Sequence, residues 1–460
     1  MEEAGSDDRI SGLSDDLLRD ILLCLRSLPA AARTGILSRR WRHVWTSIPE
    51  LVIDELHVAG RPPSSFLRAV EGALAAYSAS NVDVAALTIA VPDVRLCRIE
   101  ARRVSSWLRV ASERVAGTLS LALPRSEPIT ITHGHGQEVE LPPCGRATEI
   151  ALSLAGAFVL RLRPAASFAA LTVLTIQSAA MDGRELGAFV SSMCPRLTDL
   201  TLRVSLVACS DVSIRSASLR RLEFGAGCAQ RLGVAAPMLE VLVASFLHHA
   251  HISAPRLAEA KVQRLHRHHF ADDVPRRLRR LDITQLYLNA VAPPRARRFD
   301  AVDELRLSAL IGMEGYTSFL DDVNNLPVCQ TVLSVSLTGD HHGFVPTMLH
   351  LLRRSKAIRK LVLETYTQME DPCSTACPCR LPESYRANNM TLDSLEEIEI
   401  NTFMGEDDQV EFLEMLVSRC SATRPINVAL NKSYLVPLPT EKVSEMIRSI
   451  SRPNLRVRLH

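Results

Sequence analysis

Three groups of side chains have types and spacings that could do chemistry. Cys373, Cys377 and Cys379 form a C-x3-C-x-C run whose thiolates could begin a zinc site. A closed tetrahedral site takes four ligands, and no partner pair follows at finger spacing, so no metal is expected there. His248, His249, His251, His266, His268 and His269 cluster in sequence, and solvated turns explain them as well as a metal does. Arg276, Arg277, Arg279 and Arg280, with Arg295, Arg297 and Arg298, make the densest basic stretch. A solvated face is the ordinary reading of such a run. The sharper reading takes Arg276, Arg277, Arg279 and Arg280 as a dock for an acidic or phosphorylated segment of a protein substrate, since guanidinium forks suit carboxylate and phosphate. There is no P-loop, H-E-x-x-H, G-x-S-x-G or dinucleotide fingerprint, and HGHG at 133–136 lacks the strand and helix a phosphate loop needs. No catalytic residue and no cofactor is expected, which directs attention to binding.

The composition agrees with a binding role. The chain has 460 residues, 47% hydrophobic and 23% charged, enough for about three globular domains. A formal charge of +2 offers no net field for a polyanion, so nucleic acid is not an expected partner. Only five basic residues are lysine against 48 arginines, and none precedes Lys261. Eleven cysteines, an odd number with no charged-then-apolar leader, point to a reducing intracellular setting, cytoplasm or nucleus. The longest apolar stretch, Ala151 to Leu160, is broken at Arg161 and falls short of the roughly 20 residues that span a bilayer.

Most of the chain is organised by a repeated apolar triplet at i, i+3 and i+5, whose last two positions share one face of a strand. Leu171/Leu174/Ile176, Leu197/Leu200/Leu202, Leu219/Leu222/Phe224, Leu278/Leu281/Ile283, Val302/Leu305/Leu307, Ile358/Leu361/Leu363 and Leu395/Ile398/Ile400 are clear cases. Weaker ones start at Val84, Ala116, Ala147, Leu239, Leu257 and Val332. The mean spacing, about 26 residues, is that of leucine-rich repeats. Position i+8 holds Ala179, Ser205 and Gly227 where a regular repeat has Asn or Cys, so an irregular solenoid is expected over 80–368. A Pro- and Gly-rich stretch at about 124–146 reads as a long loop. After the break at EDPCSTACPCRLP, a strand, a helix over Asp407 to Arg419, a strand INVAL and a helix from Thr440 form an α+β unit over 373–460.

Residues 1–8 (MEEAGSDD) read as a mobile acidic tail, and 9–51 as three short helices. Ser14 can cap the first, with Asp15 and Asp16 in its first turn. Leu17, Leu18, Ile21, Leu22 and Leu25 then form an apolar stripe, Pro29 opens a second helix, and Ser38 caps a third carrying Trp41, Val44 and Trp45. Some forty residues make a small core for so wide a stripe, so part of it must face a partner.

The run DRIS-x-L-x-DDLL-x-x-IL, with T-x-x-LSRRWR-x-xW and then P-x-L, closely resembles the plant-type F-box. The tail CPCRLPESYRANNMTLDSLEEIEINTFMGEDDQVEFLEMLV resembles the start of an FBD domain, and F-box, degenerate leucine-rich repeats and FBD form a known plant arrangement. The resemblance implies an α/β chain: a three-helix F-box, an irregular repeat solenoid and an α+β FBD unit. It implies binding of a Skp-family adaptor, and through it cullin and RING subunits, with Leu13, Leu17, Leu18, Ile21 and Leu22 facing the adaptor together with Leu37, Ser38, Arg39, Trp41 and Trp45. The family usually has Pro after the Leu at position 13, where this chain has Ser14, which would lower adaptor affinity. The implied role is substrate recognition in an SCF-type ubiquitin ligase, without catalysis or membrane association. The competing reading is a non-degradative interaction scaffold with a weakened F-box.

Overall fold

The computed structural model describes residues 12–24, 44, 48–54, 63–80, 82–92, 99–124, 137–156, 158–163, 167–263, 268–287, 299–311, 326–339, 343–367, 390–432 and 440–460. They divide into two compact units, Met1–Met238 with Phe246–His248, and Leu239–Ser245 with His249–His460. Among the described residues no helix is long and apolar enough to cross a membrane.

The first unit opens with helix α1 (Asp15–Cys24) and continues as β1 (Glu50–Ile53), α2 (Pro63–Ser80), β2 (Val84–Ala90), α3 (Ala101–Arg114) and β3 (Val115–Ala122). Then come β4 (Gln137–Leu141), β5 (Glu149–Ser153), β6 (Phe158–Leu162), β7 (Val173–Met181), α4 (Gly183–Ala188), β8 (Asp199–Arg215) and β9 (Arg221–Ala235). The chain order β1, β2, β3, β5, β7, β8, β9 is also a parallel ladder. Its register stacks like on like: Leu51, Leu87, Leu119, Ile150, Leu174, Leu200 and Leu222 form one row, every member 2% exposed or less. Burying such a side chain is worth about 1.5–3 kcal/mol, and no single turn can do it alone, so the repeat spacing produces the stack.

The returns from one ladder strand to the next differ along the unit. In α2, Phe66, Leu67, Val70, Leu74 and Tyr77 lie on one face and are buried, and the Tyr77 hydroxyl donates to the Ile48 carbonyl at 3.0 Å. In α3 the buried stripe is Val104, Trp107, Leu108 and Ala111. Further on, the strands β4 and β6 are the returns before β5 and β7, while the helix α4 lies between β7 and β8. Residues 137–141, read from the sequence as part of a long loop, form β4, which pairs in parallel with β6, while 125–136 lie outside the described residues. The alternation in QEVEL, with Val139 and Leu141 buried beside the exposed Glu138 and the half-buried Glu140, is a strand signal that the neighbouring Pro and Gly outweighed.

The second unit runs β10 (Val241–Ser245), β11 (His249–Ser253), β12 (Glu259–Gln263), β13 (His268–Phe270), β14 (Arg277–Tyr287), β15 (Ala301–Ile311), β16 (Val328–Gly339), α5 (Val345–Arg354) and β17 (Lys360–Thr367). It ends with β18 (Glu397–Phe403), α6 (Asp407–Ser418), β19 (Ile426–Lys432), α7 (Thr440–Ile450) and β20 (Leu455–Leu459). β10, β12 and β14 to β20 form a parallel ladder, and β11 pairs with β13 behind it. The segment read as a closing α+β unit therefore continues the same ladder: Leu361 stands beside Ile398, Ile398 beside Val428, and Val428 beside Val457.

At β16 the observed register differs from the triplet reading. Leu305 pairs with Leu333 and Leu307 with Val335, so the unit does not start at Val332. A register shift between Val302 and Glu304 places the buried Cys329 opposite Val302, and Cys329 fills the first apolar position. At β3 a similar shift buries Val115 and leaves Ala116 exposed.

Candidate functional site

Helix α1 starts where Ser14 can satisfy it: the Leu17 amide donates to Ser14 Oγ at 3.3 Å and the Leu18 amide to the Ser14 carbonyl at 3.0 Å. Asp15 and Asp16 sit in the positively polarised first turn, and Arg19 Nη1 reaches Asp16 Oδ1 at 3.1 Å. The apolar stripe then splits. Leu18 and Leu22 are 0% and 1% exposed, packed with Val44 and Ile48, and Leu13 closes part of the same cluster. Leu17 and Ile21, one turn apart, are 50% and 41% exposed. Leu37, Ser38, Arg39, Trp41 and Trp45 lie outside the described residues, as do the second and most of the third expected helix.

The sequence pattern did not single out Ile48, which floors this cluster and hands the chain to β1. Its signal was present: Ile48, Leu51 and Ile53 have the i, i+3, i+5 spacing and are all buried, so a ladder strand precedes the first one expected.

In the second unit, each of the four candidate arginines has a carboxylate beside it. Arg277 Nη2 reaches Asp303 Oδ1 at 2.6 Å, and Arg280 Nε reaches Glu304 Oε2 at 2.7 Å. Arg279 pairs with Glu259, and Arg276 Nη1 lies 3.7 Å from Asp300 Oδ2. Glu259 comes from β12 and Asp303 and Glu304 from the start of β15, where LAEAKV and VDELRL place acids in neighbouring repeats, and Asp300 lies just before β15. The row Glu259, Arg280, Glu304 thus alternates in sign across three strands. Exposed pairs of this kind add about 0.2–1 kcal/mol each. The arginines project no bare positive field, and an incoming phosphate would have to displace the carboxylates. Arg295, Arg297 and Arg298 lie outside the described residues.

His249 and His251 fall on β11 and His268 and His269 on β13, while His248 precedes β11 and His266 lies outside the described residues. The rings of His251 and His269 stack with centroids 4.8 Å apart and Nδ1 atoms 2.9 Å apart, and His268 is buried. Among the described residues no three His, Cys, Asp or Glu side chains converge as a metal site would require. Cys373, Cys377 and Cys379 lie outside the described residues.

Residues 105–270, from α3 to β13, match the family model for "FBD-associated F-box protein At5g56370, LRR repeats". The F-box/LRR-repeat protein At2g42720 of Arabidopsis thaliana is 24% identical over 466 residues, covering 96% of this chain and 100% of that one. The chain is thus similar to FBD-associated F-box/leucine-rich-repeat proteins. Two further Arabidopsis relatives match over shorter spans. F-box/LRR-repeat protein 25 is 32% identical over 126 residues, 27% of this chain and 43% of its own length. F-box/FBD/LRR-repeat protein At5g56420 is 28% identical over 137 residues, 30% of this chain and 29% of its own. The matched span takes in the parallel rows from α3 to β13, whose i+8 positions hold Ala179, Ser205 and Gly227.

Proposed function

We propose that the chain is the substrate-recognition subunit of an SCF-type ubiquitin ligase. Residues 9–51 form the F-box and dock on a Skp-family adaptor, which brings the cullin and RING subunits. The repeats over 80–368 and the FBD segment over 373–460 hold a protein target, and the work done is positioning: target and ubiquitin-loaded enzyme are kept at high effective concentration. The supporting observation is the division of α1 into a closed face, Leu18 and Leu22, and an open apolar face, Leu17 and Ile21. Two large aliphatic side chains one turn apart are a minimal helix anchor for an apolar groove. Leu13, Leu37, Ser38, Arg39, Trp41 and Trp45 belong to the same docking set by family resemblance.

Co-purification with a Skp-family adaptor tests this, using substitutions that separate docking from folding. Leu17→Ala with Ile21→Ala removes adaptor binding and leaves the unfolding midpoint within about 0.5 kcal/mol, as for exposed positions. Leu18→Ala costs about 2–4 kcal/mol of local stability, because it opens a cavity in the cluster with Val44 and Ile48. An intact chain that brings down no adaptor is the scaffold instead.

A further inference from the structure

β20 pairs with β19 in register from Ile426 beside Leu455 to Leu430 beside Leu459, and among the described residues its other edge carries no strand. Backbone groups alternate along a parallel strand, so residues that bond to β19 leave their neighbours pointing the other way. The Asn454 carbonyl accepts from Ile426, and His460 both donates to Leu430 and accepts from Lys432. The even-numbered residues therefore face β19, and the amides and carbonyls of Val457 and Leu459 face the open edge.

The side chains on that edge break a pattern the ladder keeps elsewhere. Across the exposed rows of the second unit, cations meet acids on the adjacent strand: Arg280 with Glu304, Lys261 with Asp282, and Lys360 with Glu397. Arg456 and Arg458 continue those two rows. They stand beside Asn427 and Ala429, are exposed, and have no carboxylate within ion-pair distance among the described residues. Arg448 and Arg452 lie just before them, and residues 446–460 contain no acid. On the opposite face the apolar rows also end uncovered. Leu430 is 0% exposed and its neighbour Leu459 is 40% exposed, with Val457 half-buried.

We propose that the open edge of β20 accepts an extended acidic segment of a partner protein, which adds as one more strand. Its backbone bonds to Val457 and Leu459, its carboxylates stand opposite Arg456 and Arg458, and its intervening apolar side chains extend the rows of Val457 and Leu459. Recognition is by alternation: an acid at every second residue with a Val- or Leu-like side chain between. A second copy of this chain fits poorly, since β20 against β20 sets arginine beside arginine, which also guards the edge against self-pairing. The proposal does not rest on adaptor docking through α1.

The test uses the full chain without adaptor and a fluorescein-labelled nine-residue peptide alternating Glu with Val, beside a counterpart carrying Lys for Glu. The acidic peptide binds at least tenfold more tightly than the basic one, weakens as salt is raised, and slows amide exchange at Val457 and Leu459. Arg456→Glu with Arg458→Glu reverses the preference between the two peptides. If that variant fails to fold, Arg456→Gln with Arg458→Gln, judged by an unchanged circular dichroism spectrum, loses the acidic peptide at least tenfold. Equal affinity for both peptides, binding indifferent to these substitutions, or exchange protection elsewhere overturns the proposal. So does concentration-dependent self-association that protects the same two amides without peptide.

Discussion

At the scale of single residues, burial sets the chemistry of the thiols. Burial pushes the thiols of Cys144, Cys194 and Cys420 up to about 12 and that of Cys329 to about 11, from an ordinary value of 9.0. Each is a core filler, and Cys329 also donates to the Val332 carbonyl at 3.1 Å. At pH 8 these thiols should resist iodoacetamide in the folded chain and react once urea unfolds it, as read by mass spectrometry. The linkage has a definite sign. Above pH 9 the unfolded thiols lose protons that the folded ones keep, so the unfolded state binds fewer protons and stability falls as pH rises. The slope is about 1.4 kcal/mol per pH unit for each thiol, until the folded value is reached. Urea midpoints at pH 8 and pH 10 check it: a flat profile would place these side chains in water. The sequence offered eleven cysteines and no means of ranking them, because exposure is a property of the packed ladder. The split of Leu17 and Ile21 from Leu18 and Leu22 was hidden for the same reason, since one helical stripe contains both pairs.

At the scale of elements, legibility followed regularity. Where the triplet was regular, as at Leu174/Ile176 or Leu361/Leu363, period and register were readable because one face of each strand is buried and a one-residue slip would expose it. Where a strand carries a bulge the spacing failed, at Val115 beside Ala116 and at Cys329 before Val332. The helix after β18 shows a similar limit. The apolar Val410 and Met415 are only half-buried, while Phe412 and the polar Gln409 are fully buried. Gln409 donates to Thr365 Oγ1 at 2.9 Å and accepts from the Met404 amide at 2.9 Å, tying α6 to the end of β18. Gly117 shows what the β3 bulge demands. A Cβ there would lie 2.3 Å from the Ala85 carbonyl oxygen, a backbone atom that cannot swing aside. Gly117→Ala must therefore force β2 and β3 apart, costing about 2–3 kcal/mol, comparable to overpacking a core. Gly72→Ala, where a Cβ meets nothing within 4 Å in the middle of α2, should be neutral or stabilise by up to about 1 kcal/mol. Paired urea unfolding curves separate the two, and equal midpoints would mean that the bulge relaxes freely.

At the scale of the whole molecule, the distribution of lysine takes on a meaning that net charge alone could not give it. A chain near +2 with 48 arginines and five lysines has almost the field of one with the two interchanged, so neither solubility nor the ion-pair ladder selects arginine so strongly. A subunit held beside a ubiquitin-charged enzyme is different, because lysine is an acceptor and arginine is not. The stretch nearest the proposed adaptor dock, up to Lys261, contains no acceptor side chain, so the proposed role predicts slow self-modification there. Arg102, with 82% of its side chain exposed on α3, and the exposed Arg109 on the same helix are suitable places to restore one. Arg102→Lys with Arg109→Lys keeps charge and helix propensity, so the fold should not change. In cells with an active ligase the variant should turn over faster than the parent, and the difference should vanish when Leu17→Ala and Ile21→Ala remove the adaptor. Unaltered turnover would instead make the arginine excess a record of GC-rich coding, which also favours alanine. Adaptor binding by the same variant would separate that outcome from a failure of the docking face itself.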